Sequence, residues 1–152
     1  MRRKILYAIL FLLVIIQFIR PARNQGVAAT DKDVSHFFKI SDTVQRILIK
    51  SCYDCHSNRT DYPWYSNINP VGWWMTNHVN DGKRSINFSD LSSMPKRKLD
   101  HRLRDISESV EHREMPLSSY TWIHRNAILT DEQIHMVMEW ADSAKKELGY
   151  HE

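Results

Sequence analysis

Cys52 and Cys55 are the only two cysteines among 152 residues, they stand three positions apart, and His56 follows the second directly. Two cysteines and eight histidines scattered at random would give this arrangement with a probability of roughly 0.0007. The spacing therefore has a cause, and four chemistries use it: a structural disulfide, a thioredoxin-like redox pair, half of a zinc site, and covalent attachment of c-type haem. Zinc asks for four ligands, and no second Cys-x-x-Cys or His-x-x-x-His is present to complete the set. A thioredoxin-like pair follows a strand, yet no run of β-branched residues near the motif would supply a parallel sheet. A plain disulfide leaves His56 without a role and closes too short a loop to constrain the unfolded chain much. Haem uses all three residues: Cys52 and Cys55 as thioethers to the two vinyl groups, His56 as the proximal iron ligand.

The second axial position of a c-type iron is a methionine, a second histidine, or open. Met75, Met136 and Met138 lie on or beside apolar helical stripes where core packing explains them, Met94 precedes Pro95, and Met1 is in the N-terminal head. Met115 follows a helix end and precedes Pro116, so a stiffened loop can present its thioether to iron; it is the expected distal ligand. His78, on an apolar helical face, is the rival and a candidate haem contact. Tyr62, Trp64, Tyr65, Trp73 and Trp74 form an aromatic cluster just after the motif. Of these, Trp64 and Trp74 are the candidate haem contacts, since rings cover the flat apolar face of a haem well. Arg59 could pair with a propionate but reads as a surface residue.

The elements that must position these groups are helical. Only four glycines occur and no Asn-Gly hairpin signal, internal repeat or low-complexity tract is present. Val44, Ile47, Leu48 and Cys52 recur at helical steps behind a cap at Ser41 or Asp42, so a helix leads into the motif. Asn69-Pro70 opens a second helix with Val71, Trp74, Met75, His78 and Val79 on one face, ending at Gly82. Leu99, Leu103, Ile106 and Val110 mark a third, ending near Met115-Pro116. Thr130 and Gln133 make a capping box for a last helix with Ile134, Met138, Ala141 and Leu148 inward and Gly149 as its stop. The expected fold is all-α, a small helical bundle around one haem.

Ahead of it runs MRRKILYAILFLLVIIQFIRPARNQ, a basic head followed by fifteen mostly apolar residues from Ile5 to Ile19. This reads as an export signal, expected to remain as a transmembrane anchor; cleavage after Val27-Ala28-Ala29, which would release a soluble periplasmic form, is the alternative. Arg2, Arg3 and Lys4 outnumber Arg20 and Arg23, which keeps the head cytoplasmic and places the remainder in the periplasm. The expected organisation is an anchor over 1–24, a linker over 25–40 and a haem-binding domain over 41–149. The overall charge of +3 misleads: five of the 21 basic residues belong to the anchor, which leaves 16 against 18 acidic residues, a net of −2. Export and this balance exclude nucleic acid as a partner, so KRKLDHRLR (residues 96–104) reads as a solvated helix face or a docking face for an acidic redox partner.

The stretches SCYDCHSNRTDYPWYSNINPVGWWMTNHVNDGKRSINFSD and EHREMPLSSYTWIH resemble the haem-binding domain family of small exported bacterial proteins, which have one c-type haem site and commonly an N-terminal hydrophobic anchor. The likeness covers roughly residues 40 to 145 and implies haem at Cys52, Cys55 and His56. More distantly the layout is similar to class I cytochrome c, with a helix before the motif, a later Met-Pro and a terminal helix packing on the first. No clear glycine-proline pair follows the motif, which leaves the proximal hydrogen-bond partner open, with Pro63 or Pro70 bordering it. The expected function is electron transfer by one covalent haem c with His56 and Met115 as axial ligands, and not an enzymatic reaction. A ligand-binding haem sensor is the alternative, and a peroxidase-like enzyme a weaker one.

Overall fold

The computed structural model of the chain describes residues 1–28 and 30–150, and its element order is wholly helical. The helices are α1 (Arg2–Ile16), α2 (Val34–Phe37), α3 (Asp42–Ser51), α4 (Tyr53–His56), α5 (Val71–Ser85), α6 (Lys96–Glu111), α7 (Ser118–Thr121) and α8 (Asp131–Leu148), with 3-10 turns at Trp64–Asn67 and Arg125–Ala127. Among the described residues the one extended pairing is an isolated antiparallel bridge between Gln25 and Arg59.

Local signals place the helix ends. The Ser41 hydroxyl accepts the Val44 amide at 3.3 Å and starts α3, so Ser41 rather than Asp42 is the cap. Thr130 and Gln133 form the reciprocal capping box of α8, and Gly149 ends it at φ 62°, a left-handed conformation that favours glycine. The core lies between α3, α6 and α8. Val44, Ile47 and Leu48 of α3 meet Leu99, Leu103 and Val110 of α6 and Ile134, Val137, Trp140, Ala141 and Ala144 of α8 in one buried cluster. Each fully buried aliphatic side chain there contributes about 1.5–3 kcal/mol. Met94, Met136, Met138 and Leu148 pack on the cluster's edge, which accounts for those three methionines as packing residues. The terminal helix does pack against the helix that precedes the motif.

Helix α5 departs from expectation at both ends. It continues past Gly82 to Ser85, and the Asn69 side chain does not cap it. That side chain turns back to α1, where Asn69 Nδ2 donates to the carbonyls of Ile16 at 2.8 Å and Ile19 at 2.9 Å. Gln17 exchanges two hydrogen bonds with the Asn69 backbone, and Trp73 Nε1 donates to the Ile19 carbonyl at 2.8 Å. Asn69 thus caps the C-terminus of α1, where carbonyls lack helical partners.

This cap also stops α1 early, which corrects the expectation of a membrane-spanning helix. At 15 residues α1 is roughly 22 Å long, against a hydrocarbon core of about 30 Å. Among the described residues no helix is long and apolar enough to cross a membrane.

The segment expected as a linker is packed onto the motif. Gly26 N donates to the Asn58 carbonyl at 2.7 Å and Val34 N to the Phe88 carbonyl at 2.8 Å, while Val34 and Phe38 are buried; Asn24, the last residue of the expected anchor, likewise accepts from Thr60 N at 3.0 Å. The cleavage site considered at Val27-Ala28-Ala29 includes Ala29, which lies outside the described residues.

Candidate functional site

The chain leaves α3 at Ser51, breaks at Cys52 and turns once more as α4, so that Cys52, Cys55 and His56 project from two adjoining turns. The turn is held from three sides. Beneath it, Tyr53 is buried, donates its hydroxyl to Asp33 at 3.2 Å and stacks on Phe88 with ring centroids 5.5 Å apart. Alongside it, Phe88 N donates to the His56 carbonyl at 2.7 Å, and the Phe88 ring sits 6.0 Å from the imidazole. Above it passes α5, close enough that a Cβ on Gly82 would lie 2.6 Å from the Cys55 carbonyl oxygen; only glycine allows that approach.

The same arrangement fixes the imidazole. His56 Nδ1 lies 3.2 Å from the Ile86 carbonyl oxygen. A carbonyl only accepts, so Nδ1 carries the hydrogen and Nε2 keeps the lone pair that a metal needs. Burial pushes the His56 pKa down, with the Ile86 and Gly82 carbonyls partly opposing it, so the ring is neutral and competent to ligate. Ile86 is thus the hydrogen-bond partner of the imidazole, and of the two prolines expected to border the site Pro63 lines a cleft with Cys55. The two thiols are free; burial and the neighbouring Cys55 push Cys52 up to about 12, and burial with Asp54 pushes Cys55 up to about 11. Both hold their protons at neutral pH and are poor thiolate nucleophiles.

Three clefts surround the motif. The first encloses about 820 Å³ and is lined by Cys52, Cys55, His56, His78, Gly82, Met115, Leu117 and Tyr120, among others. The second, about 590 Å³, shares Cys52, His56 and Met115 and is walled by Leu48, Ile86, Phe88, Ile106, Val110, Leu129 and Val137. The third, about 570 Å³, shares Cys55, His78, Leu117 and Tyr120 and adds Tyr65, Trp74, Met75 and His124.

Met115 therefore faces the same space as His56. It is 37 % exposed, outside the packed core, and its amide donates to the Ser109 carbonyl at 3.1 Å, where the chain folds back after α6. His78 is half-buried on the cleft wall; its Nδ1 meets the Trp74 carbonyl at 2.9 Å and its ring lies 4.3 Å from that of Trp74. Trp74 lines a cleft with Cys55, but Trp64 does not: it is 75 % exposed and touches Tyr65 edge-on. The aromatic cluster is divided, with Tyr65 and Trp74 beside the motif while Tyr62 and Trp73 bond the segment after α1. Arg59 is exposed.

Several residues at the site carry no pattern in the sequence. Tyr120 donates to Asp54 at 2.7 Å and stacks on His124, whose Nε2 meets the Tyr65 hydroxyl at 3.0 Å; this joins α7 to the motif. Burial and the bond to Asp54 raise the Tyr120 pKa well above its ordinary value. A glycine inside a helical pattern is the one available signal for Gly82, since such a glycine often marks close packing.

A paired-thiol turn, a neutral histidine with Nε2 to spare, a thioether lining the same cleft and mostly apolar walls define an all-α haem-binding module, and the donor set fits a c-type haem. The family model described as the haem-binding domain matches residues 11–143, most of the chain, and the chain belongs to that family. No curated protein and no solved structure matches it significantly.

Proposed function

We propose that this chain is an exported electron carrier that holds one covalently attached c-type haem with His56 and Met115 as axial ligands. The observation that carries this reading is that Cys52, His56 and Met115 line the same cleft while Ile86 holds the imidazole with Nε2 free. The Cys52 and Cys55 thiols would each add S–H across a vinyl group: sulfur bonds one vinyl carbon, hydrogen the other, and nothing leaves. Haem supplies a one-electron couple, and a methionine ligand raises its potential. The chain's part is to exclude water with the walls from α6 and α8 and to hold both ligands through either oxidation state.

Helix α1 serves as the membrane attachment. Its apolar side chains are exposed on every side, Phe11 at 69 % and Leu12 at 61 % among them, and lipid would cover them favourably. The bonds from Asn24 and Gly26 to the motif loop favour retention of this segment after export, with the haem domain on the periplasmic face of the inner membrane.

The test is covalency. Expressed with a haem-attachment system, the protein should keep its haem through denaturation and acidified-acetone extraction, with an intact mass of chain plus one haem. Cys52→Ala with Cys55→Ala should abolish both results. Freely extractable haem in the wild type would refute the reading.

A further inference from the structure

The basic stretch on α6 contains one arginine that does not belong to the solvated face. Arg104 is about half exposed, with Glu108 within reach at 3.9 Å, whereas Arg102, with a third of its side chain exposed, lines the cleft shared by Cys52, His56 and Met115. Asp105 grips one side of its guanidinium, accepting from Nη1 at 2.7 Å. On the other side Arg102 Nε is buried and has no hydrogen-bond partner among the described residues. A charged N–H withdrawn from water without an acceptor is costly, by several times the net gain of an ordinary hydrogen bond. The rest of this cleft is mostly apolar, Ile106 and Val137 included, and its polar residues Ser85, Ser109 and His56 make no bond to Nε, so the acceptor for that edge is left to what the cleft binds.

We propose that Arg102, oriented by Asp105, binds a haem propionate through its Nε edge. This rests on the haem reading above. Haem pairs an apolar body with carboxylates at one edge, which matches a cleft of apolar walls with one guanidinium beside them. The guanidinium fork suits a carboxylate, and because Asp105 occupies Nη1, the Nε side is the one left to receive it. Arg102 is then a cofactor-binding residue, and its charge offsets that of the propionate near the iron.

The test uses the full-length protein carrying its haem, with resonance Raman spectra and redox titration. Arg102→Gln should shift the propionate bending band and lower the reduction potential, because loss of a nearby positive charge favours ferric iron. Arg102→Lys, which keeps the charge but not the fork, should shift the band while leaving the potential nearer wild type. Arg104→Gln removes the same charge from the solvated face and should change neither. If Arg102→Gln does not accumulate, an unchanged band in Arg102→Lys overturns the assignment; an unchanged band and potential in Arg102→Gln overturn it directly. A wild-type protein without haem overturns the underlying reading, and this assignment with it.

Discussion

His56 and Ile86 are thirty residues apart in the chain and meet through one hydrogen bond, imidazole Nδ1 to backbone carbonyl at 3.2 Å. That bond exists because the chain leaving α5 runs back along the motif: Phe88 N binds the His56 carbonyl, and Asn87 Nδ2 donates to Asn58 Oδ1 at 2.9 Å. The nitrogen left with a lone pair is therefore selected by a loop well outside Cys-x-x-Cys-His.

Gly82 sets how closely α5 approaches the motif. Gly82→Ala should destabilise the protein by about 1–3 kcal/mol, because the new Cβ meets the backbone of Cys55 and the helix must move away. Haem yield per chain should fall with it. Gly149→Ala, at positive φ but with nothing within 4 Å, should cost about 1 kcal/mol and leave haem yield unchanged. Chemical denaturation and the ratio of haem to protein absorbance measure both.

Asn69 couples α1 to the haem domain. Asn69→Leu removes the donors to the Ile16 and Ile19 carbonyls, each bond being worth about 0.5–1.5 kcal/mol. Limited trypsin digestion should then cut faster after Arg23, while the haem spectrum stays as in the wild type. Equal cleavage rates would show that the cap does not hold this junction.

Tyr120 gives a pH dependence with a definite sign. Its pKa is raised in the folded protein, first by burial and then by Asp54, so its contribution is fully present below the unfolded value of about 10 and is lost as pH rises above that. Tyr120→Phe should be less stable than wild type by about 1–2 kcal/mol near neutrality. The gap should narrow at about pH 10.5 and above, where wild type alone loses this term. Urea unfolding at the two pH values checks it.

How much of this was legible in the sequence depended on the range of the interaction. The α8 capping box and the apolar stripe of α3 are written in spacings of three and four residues, and the structure shows both where the sequence puts them. The Ile86 carbonyl is a backbone group with no residue signature, and Asn69 looks like the cap of the helix that follows it although its side chain caps one 53 residues earlier. Proximity in sequence groups Trp64 with Trp74, yet a 3-10 turn sends Trp64 outward. The apolar run of the first helix counts as long enough to span only if Gln17 continues the helix; its pairing with Asn69 ends it instead.

The most direct test of electron transfer is the bond between Met115 and iron, read from the absorption spectrum of the ferric holoprotein and its response to carbon monoxide after reduction. Thioether ligation gives ferric haem a weak long-wavelength charge-transfer band and closes the iron to small ligands. Wild type should show the band and resist carbon monoxide. Met115→Ala should lose the band, bind carbon monoxide and fall in potential, whereas Met75→Leu and His78→Ala should behave as wild type. A wild-type protein that lacks the band and takes up carbon monoxide readily, or a Met115→Ala variant that keeps the band, would contradict the account and make ligand binding at iron the better reading.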